Sequence, residues 1–130
     1  MKTVLSIALG GSLGALARYY LSKLIAEHIP LILPLGTLAV NVIGSLLIGF
    51  FVGLFNHTVV PTEVKTFVTI GFFGAFTTFS TFALENIRLF QDGEIKYALL
   101  NIGVSNVCGL VAALGGLLAA EMLFKKGGTL

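Results

Sequence analysis

The sequence GFFGAFTTFSTF, residues 71–82, combines five of the chain's eleven phenylalanines with four hydroxyl residues and carries no charge. It lies inside a charge-free run, residues 66–84, which is close to the roughly 20 residues that a membrane-spanning helix requires. Threonine and serine side chains compete for backbone hydrogen bonds and therefore weaken a helix. We predict that this stretch spans a membrane as a helix that is broken near its middle.

The rest of the chain is similarly apolar. Hydrophobic residues make up 56% of the 130 residues and charged residues 11%, whereas a soluble domain is roughly 45–50% apolar. Further uncharged runs cover residues 29–62 and 97–120, and the first apolar segment is interrupted by Arg18. We predict an all-α membrane protein, a single domain over residues 1–130, with spans at about 3–25, 35–56, 64–90 and 96–122.

The N-terminus also has features of a cleavable signal peptide, namely Lys2, an apolar run and the sequence Ala15-Leu16-Ala17. The GGSLG core, residues 10–14, is poor in the leucines expected of such a peptide. Its glycines at 10 and 14 have the small-xxx-small spacing that lets membrane helices pack closely. We therefore expect a retained first helix.

The connections between spans are short, at about residues 27–34, 56–63 and 91–96, and they leave no room for a soluble domain. The chain contains no nucleotide-binding loop, zinc-ligand spacing or nucleophile elbow, so we do not expect an enzyme or a nucleic-acid partner. The single cysteine, Cys108, falls inside the fourth span and cannot form an intramolecular disulfide. Function is therefore expected within the membrane.

Basic residues are balanced between the two membrane faces. Four spans place both termini on one side, and the two groups of four are Lys2, Lys65, Lys125 and Lys126 on that side and Arg18, Lys23, Arg88 and Lys96 on the other. Because orientation follows an excess of Lys and Arg in cytoplasmic loops, a balanced chain can insert both ways and pair as an antiparallel homodimer. Discounting Arg18 as an intramembrane residue is the alternative, and it restores one orientation.

Small residues mark packing faces on the second and third spans. Gly49 and Gly53 form a GxxxG motif, and Gly71 and Ala75 repeat the spacing. We interpret them as helix contacts rather than as chemical groups.

Three polar residues are candidates for function within the spans, each with a plainer alternative. Arg18 can line an electropositive vestibule or snorkel to the headgroups. Asn41 can donate hydrogen bonds to a passing group or join two helices. Glu85 can sit at a pore mouth or pair with Arg88 three residues on. In the fourth span, polar pore lining and interhelical contacts are both open for Asn101, Ser105 and Asn106.

On a continuous helix, Phe76, Phe79 and Phe82 share one slowly drifting face, and Thr77 and Thr81 share another. Phenylalanine edges carry partial positive charge and can favour an anion without trapping it, and the carbonyls freed by a helix break are natural cation ligands. Lipid-facing or packed phenylalanines are the alternative reading of the same spacing. The pattern suggests coordination of a small ion.

Three motifs in this order resemble the Fluc (CrcB) fluoride channels of microorganisms: GGSLGALARY at residues 10–19, GTLAVN at 36–41 and GAFTTFSTFALE at 74–85. The resemblance extends from the first span to the fourth. It implies an antiparallel dual-topology homodimer in the cell membrane, with two pores that export fluoride passively and keep cytoplasmic fluoride low.

The resemblance also implies roles for individual residues. Phe79 and Phe82 would present their ring edges to fluoride, and Asn41 would donate its amide to the ion. Backbone carbonyls of Gly74 and Thr77 from both subunits would hold a central structural sodium that is not transported. The remaining implied roles are pore lining for Ser80, Thr81 and Ser105, a pore mouth for Glu85, and a vestibule for Arg18 and Thr37. This chain has Ala75 where a second glycine is common in the family, and Phe76 where leucine is common.

A small proton-coupled cation or multidrug exporter is the main alternative, because it has the same length, four spans and possible dual topology. Such a transporter requires a titratable acid at membrane depth. The first span contains no acid, and Glu85 and Glu121 lie near span ends. A structural membrane subunit is a third possibility, in which the phenylalanines only fill space.

Overall fold

The computed structural model of the protein describes residues 1–125, so Lys126 of the predicted charge pattern lies outside the described residues. Within them the chain is helical and contains no strand. Four helical segments are long and apolar enough to cross a membrane: Lys2–His28, Leu35–His57, Thr62–Gln91 and Ile95–Lys125. The four predicted spans are thus present, each slightly longer than expected.

Prolines lie at or near the ends of the first three helices. α1 (Lys2–His28) is followed by Ile29 and then Pro30, α2 (Leu35–His57) begins directly after Pro34, and α3 (Thr62–Thr66) begins directly after Pro61. A proline restricts the preceding residue to extended conformations and is well tolerated where a helix begins. These positions keep the connections short, so successive spans run antiparallel.

The third span is built from several pieces. α3 continues into a π-helix (Phe67–Phe73) and a single turn, α4 (Gly74–Phe76), and the span resumes as α5 (Phe79–Gln91). The fourth span is α6 (Ile95–Lys125). A π-helix bonds each residue to the fifth one on and often marks a functional site.

The helix is broken at Thr77 and Thr78, which confirms the predicted interruption. Thr77 has φ −81° and ψ 155°, and Thr78 has φ −148° and ψ 116°, so both are extended. Gly74 remains helical, with φ −61° and ψ −33°. The β-branched hydroxyl residues, rather than the glycine before them, therefore mark where the backbone leaves the helix.

The break separates residues that a continuous helix would align. Phe76, on the N-terminal side, is buried with Val40 and Phe73 in the core of the chain. Phe79, on the other side, is exposed. The expectation that Phe76 shares a face with Phe79 and Phe82 is therefore wrong, because it assumed one helical period through residues 76–82.

Glycines allow the helices to approach at backbone distance. A Cβ added to Gly14 of α1 would meet the carbonyl group of Phe72 in the π-helix, and one added to Gly116 of α6 would meet the Leu46 carbonyl of α2. Gly49 of α2 lies in the same way against Ala113 of α6. The predicted small-residue faces are thus confirmed as helix contacts within the chain.

Asn41 of α2 forms two hydrogen bonds with the backbone at the break. Its side-chain Nδ2 donates to the carbonyl oxygen of Thr78 at 3.0 Å, and the Thr78 backbone N–H donates to Asn41 Oδ1 at 2.7 Å. Thr78 is buried, so these backbone groups cannot turn to water. One amide side chain therefore replaces two backbone hydrogen bonds that the helix would otherwise have made.

Replacing Gly116 with alanine is expected to destabilise the protein, because the added methyl group meets backbone that cannot move aside. Overpacking of this kind costs about 1–3 kcal/mol. Gly103→Ala and Gly115→Ala, on the same helix, are controls because a Cβ at either position has no neighbour within 4 Å. Thermal unfolding in detergent measures the effect, and equal midpoints for all three variants would contradict this packing.

Asn41→Leu is expected to lower the free energy of unfolding by about 2–4 kcal/mol, because two buried backbone groups lose their partners. Asn106→Leu is the matched control, since Asn106 is exposed and bonds only to the Ile102 carbonyl. The comparison is made by thermal unfolding in fluoride-free buffer. If the Asn41 amide served only a passing ion, both variants would unfold alike under that condition.

Candidate functional site

Two phenylalanines begin the helix after the break. Phe79 is the first residue of α5, and 76% of its surface is exposed, whereas Phe82 is 9% exposed. Their ring centroids lie 5.6 Å apart with the ring planes at 44°. One ring of the pair therefore faces outward from the chain while the other is held against it.

Thr78 is the N-cap of α5 and organises the hydroxyl residues around it. Its Oγ1 accepts a hydrogen bond from the Thr81 backbone N–H at 3.2 Å and donates to Thr81 Oγ1 at 3.1 Å. Ser80 Oγ lies 3.4 Å from the same atom. Thr78 was not singled out from the sequence. A threonine directly before the first turn of a helix is nevertheless a typical N-cap signal.

The Asn41 amide nitrogen carries two hydrogens, and its bond to the Thr78 carbonyl uses only one of them. The second hydrogen remains available as a donor. Asn41 lines an open cleft of 240 Å³ together with Ser45, Thr77, Thr78 and Phe79. The predicted amide donor and the predicted outer ring therefore border the same space. Both interpretations of Asn41, as a helix contact and as a donor, are compatible with this arrangement.

A second path reaches Thr78 from the membrane face where α1 ends. An outer groove of 490 Å³ leads to an inner cavity of 180 Å³, and both are lined by Tyr19, Ser22, Thr37 and Thr81. Arg18 and Thr78 line the inner cavity. Thr78 also borders the cleft beside Phe79, so the inner cavity and that cleft meet at the break.

Glu85 lies on the wall of the outer groove. Its Oε1 accepts a hydrogen bond from Thr37 Oγ1 at 2.7 Å, and its Oε2 is buried without a hydrogen-bond partner. Within residues 1–125 the ion pair closer than 4.0 Å is Lys23 with Glu27, so the alternative reading of Glu85, a salt bridge to Arg88, is not observed. The carboxylate instead joins α5 to α2. Residue spacing along α5 alone cannot predict a contact with another helix.

Behind Phe82, a chain of side-chain amides connects α5 to α6. Ser105 Oγ donates to Asn101 Oδ1, Asn101 Nδ2 donates to Asn86 Oδ1, and Asn86 Nδ2 donates to the Phe82 carbonyl oxygen. Asn101 is 2% and Asn86 4% exposed. Ser105, predicted to line a pore, here supports the backbone of an inner ring residue, and Asn86 was missed by the sequence analysis. An asparagine four residues after Phe82 in an apolar helix was the available signal.

The break leaves backbone oxygens without helical donors. With Thr77 counted as the C-cap, the helix end leaves the four carbonyl groups of residues 74–77 without helical donors. The Thr77 N–H donates to the Phe73 oxygen at 3.1 Å, one turn earlier. Within residues 1–125 no group of three His, Cys, Asp or Glu side chains is placed to hold a metal.

Together these groups favour a small, strongly hydrated ion over a reaction. The cavities are lined by hydroxyl groups, by an amide with one free hydrogen and by the Phe79 ring, which are groups that can replace a water shell around an anion. The described residues place no nucleophile beside a base, and a channel lining requires none.

Comparison with known proteins gives the chain a family. The family model described as "CrcB-like protein, Camphor Resistance (CrcB)" matches residues 5–117. A protein of Shewanella halifaxensis named "Fluoride-specific ion channel FluC" is 44% identical over 116 residues, covering 88% of this chain and 94% of the relative.

Relatives in other bacteria carry the same name. That of Geobacter sulfurreducens is 43% identical over 124 residues, covering 95% of this chain and all of the relative. That of Magnetococcus marinus is 42% identical over 118 residues, covering 90% and 96%. With four candidate spans and matches of this extent, the chain is a multi-pass membrane protein and belongs to the CrcB family.

Proposed function

We propose that this protein is a fluoride-selective channel that releases fluoride passively and so lowers its cytoplasmic concentration. The observation that carries the proposal is the exposed Phe79 ring beside a broken helix, next to an amide with one free hydrogen. The relatives' printed name, fluoride-specific ion channel, supports the same ion. The protein accordingly acts as a conduit and not as an enzyme.

Fluoride is small and holds its water strongly, so a pore must replace that water with donors. In the proposed path the ion enters the outer groove, passes Arg18 and Thr81, and reaches Asn41 and the ring edges of Phe79 and Phe82. Hydroxyl and amide donors and ring edges stabilise an anion without a fixed counter-charge that would hold it. Conduction requires that balance between entry and release.

The proposed assembly is an antiparallel homodimer with two pores. Phe79 is three-quarters exposed, and it lies beside polar groups in the middle of a span. Lipid cannot bond to such polar groups, so a second copy of the chain is the natural cover. The balanced basic residues favour insertion in both orientations, which a two-fold axis in the membrane plane needs.

A sodium ion at the centre of the dimer fits the orphaned carbonyls. Gly74 and Thr77 of each copy would supply four neutral oxygens, a donor set that suits a monovalent cation. The ion would hold the two broken helices in place and would not be transported. Its role is therefore structural.

The exporter alternative is not proposed. It requires a proton-carrying acid at membrane depth, and Glu85 is engaged with Thr37 at the groove that opens to one membrane face.

Liposomes containing the purified protein are expected to release fluoride rapidly when a potassium ionophore clamps the voltage. Chloride-loaded liposomes serve as the selectivity control, because the pore donors are matched to a smaller ion. An ion-selective electrode records the efflux. Release of both anions, or of neither from folded protein, would contradict the proposed function.

Phe79→Ile and Phe82→Ile are each expected to abolish fluoride efflux while the dimer survives, because isoleucine fills space without offering a ring edge. Phe90→Ile is the matched control, since Phe90 lies on the same helix and outside the cavities described here. Dimer content is measured by size-exclusion chromatography of each variant. Undiminished efflux from both ring variants would remove the rings from the mechanism.

Sodium is expected to raise the thermal midpoint of the detergent-solubilised protein relative to the bulky cation N-methylglucamine, at constant chloride. A ligand that binds only the folded state stabilises it by about 2.7 kcal/mol at a hundredfold excess over its dissociation constant. Lithium and potassium at the same ionic strength distinguish a fitted site from a general salt effect. Identical midpoints in all four salts would rule out the sodium site.

A further inference from the structure

The outer groove has a cation at its rim that has no role in the path described so far. Lys23 lines the groove together with Tyr19, Ser22, Thr37 and Glu85. It lies one helical turn beyond Tyr19, at the end of α1 nearest the membrane surface, while Arg18 lies deeper, in the inner cavity. An anion that enters from this face therefore meets Lys23 before Arg18.

Lys23 is held at the groove from two sides. Its Nζ lies 5.9 Å from the centre of the Tyr19 ring, within the range of a cation–π contact. On the other side it lies 3.8 Å from Glu27 Oε1. Tyr19, Lys23 and Glu27 are spaced four residues apart, so one face of α1 carries all three.

The Lys23–Glu27 pair is weak enough to leave the lysine charge effective. Lys23 and Glu27 are 53% and 58% exposed, and exposed ion pairs at this spacing contribute little, because water screens both charges. Glu27 therefore reduces, without cancelling, the positive potential at the rim. Glu85 lines the same groove, and Arg88 shares an adjoining pocket with it, so Lys23 is not the only cation near that carboxyl group.

We propose that Lys23 is an entry residue, which raises the local anion concentration in the outer groove, and that Glu27 sets the strength of this effect. The inference rests on the proposed channel function. Lys23 contributes through its charge at a distance, so its effect is on the rate at which anions enter and not on which anion passes. The roles proposed for Arg18, Phe79 and Phe82 are unchanged by this proposal.

The test is fluoride efflux at low fluoride concentration from liposomes of zwitterionic phosphatidylcholine, which adds no net lipid charge. Ionic strength is set with impermeant gluconate salts at about 10 mM and about 1 M, where the screening length is about 30 Å and about 3 Å. The variants are Lys23→Gln, Glu27→Gln and the double variant. Lys96→Gln is the control, because Lys96 lies in the first turn of α6 on the same membrane face and does not line the groove.

At low ionic strength we expect Lys23→Gln to slow efflux about two- to threefold and Glu27→Gln to speed it by a smaller factor. The double variant is expected to lie between the two single variants, since the potentials of the two charges add at the rim. At high ionic strength all variants should match the wild type, and Lys96→Gln should match it throughout. A slowing by Lys23→Gln that persists at high salt would assign a structural role to the lysine and overturn the inference.

Wild-type efflux separates the two proposals. If the wild type conducts and Lys23→Gln has unchanged efflux at low salt, the entry role fails while the channel function stands. If the wild type does not conduct fluoride, both fail together.

Discussion

The structure depends on one constraint, which is that a broken backbone inside a membrane must find all its hydrogen bonds within the protein. Asn41 meets that constraint at Thr78 with one donor and one acceptor. The hydroxyl of Thr78 then satisfies another free N–H, that of Thr81. These three bonds replace part of the helical hydrogen bonding that is lost at the break.

Close helix packing places this arrangement. Gly10 and Gly14 let α1 lie against the backbone of the π-helix, and Gly116 lets α6 lie against α2. Such contacts bring Asn41 of α2 within reach of Thr78 and position the vestibule of α1 beside the same residue. The short contacts to Thr78 therefore depend on the spacing of glycines in the helices. The glycines at these helix contacts have no functional side chain themselves.

Much of this was predictable from the sequence, and the failures have a common cause. Length and hydropathy predicted the four spans, and the threonine cluster predicted the break, because both effects are local along the chain. The face shared by Phe76 and Phe79 was predicted wrongly, because periodicity assumes the unbroken helix that the same residues prevent. The Glu85–Thr37 bond and the Asn86–Asn101 pair were missed, because they join different helices and leave no pattern in a single one.

The π-helix has a consequence for how such a sequence can change over evolutionary time. Its C-terminal half is anchored where Gly71 lies against Gly10, and the extended break follows at Thr77, six residues later. Inserting or deleting one residue between Gly71 and the break would turn the end of this helical piece by about 100° around its axis and so displace Thr78 from Asn41. A change in the length of this segment therefore disturbs the fold more than a conservative substitution within it.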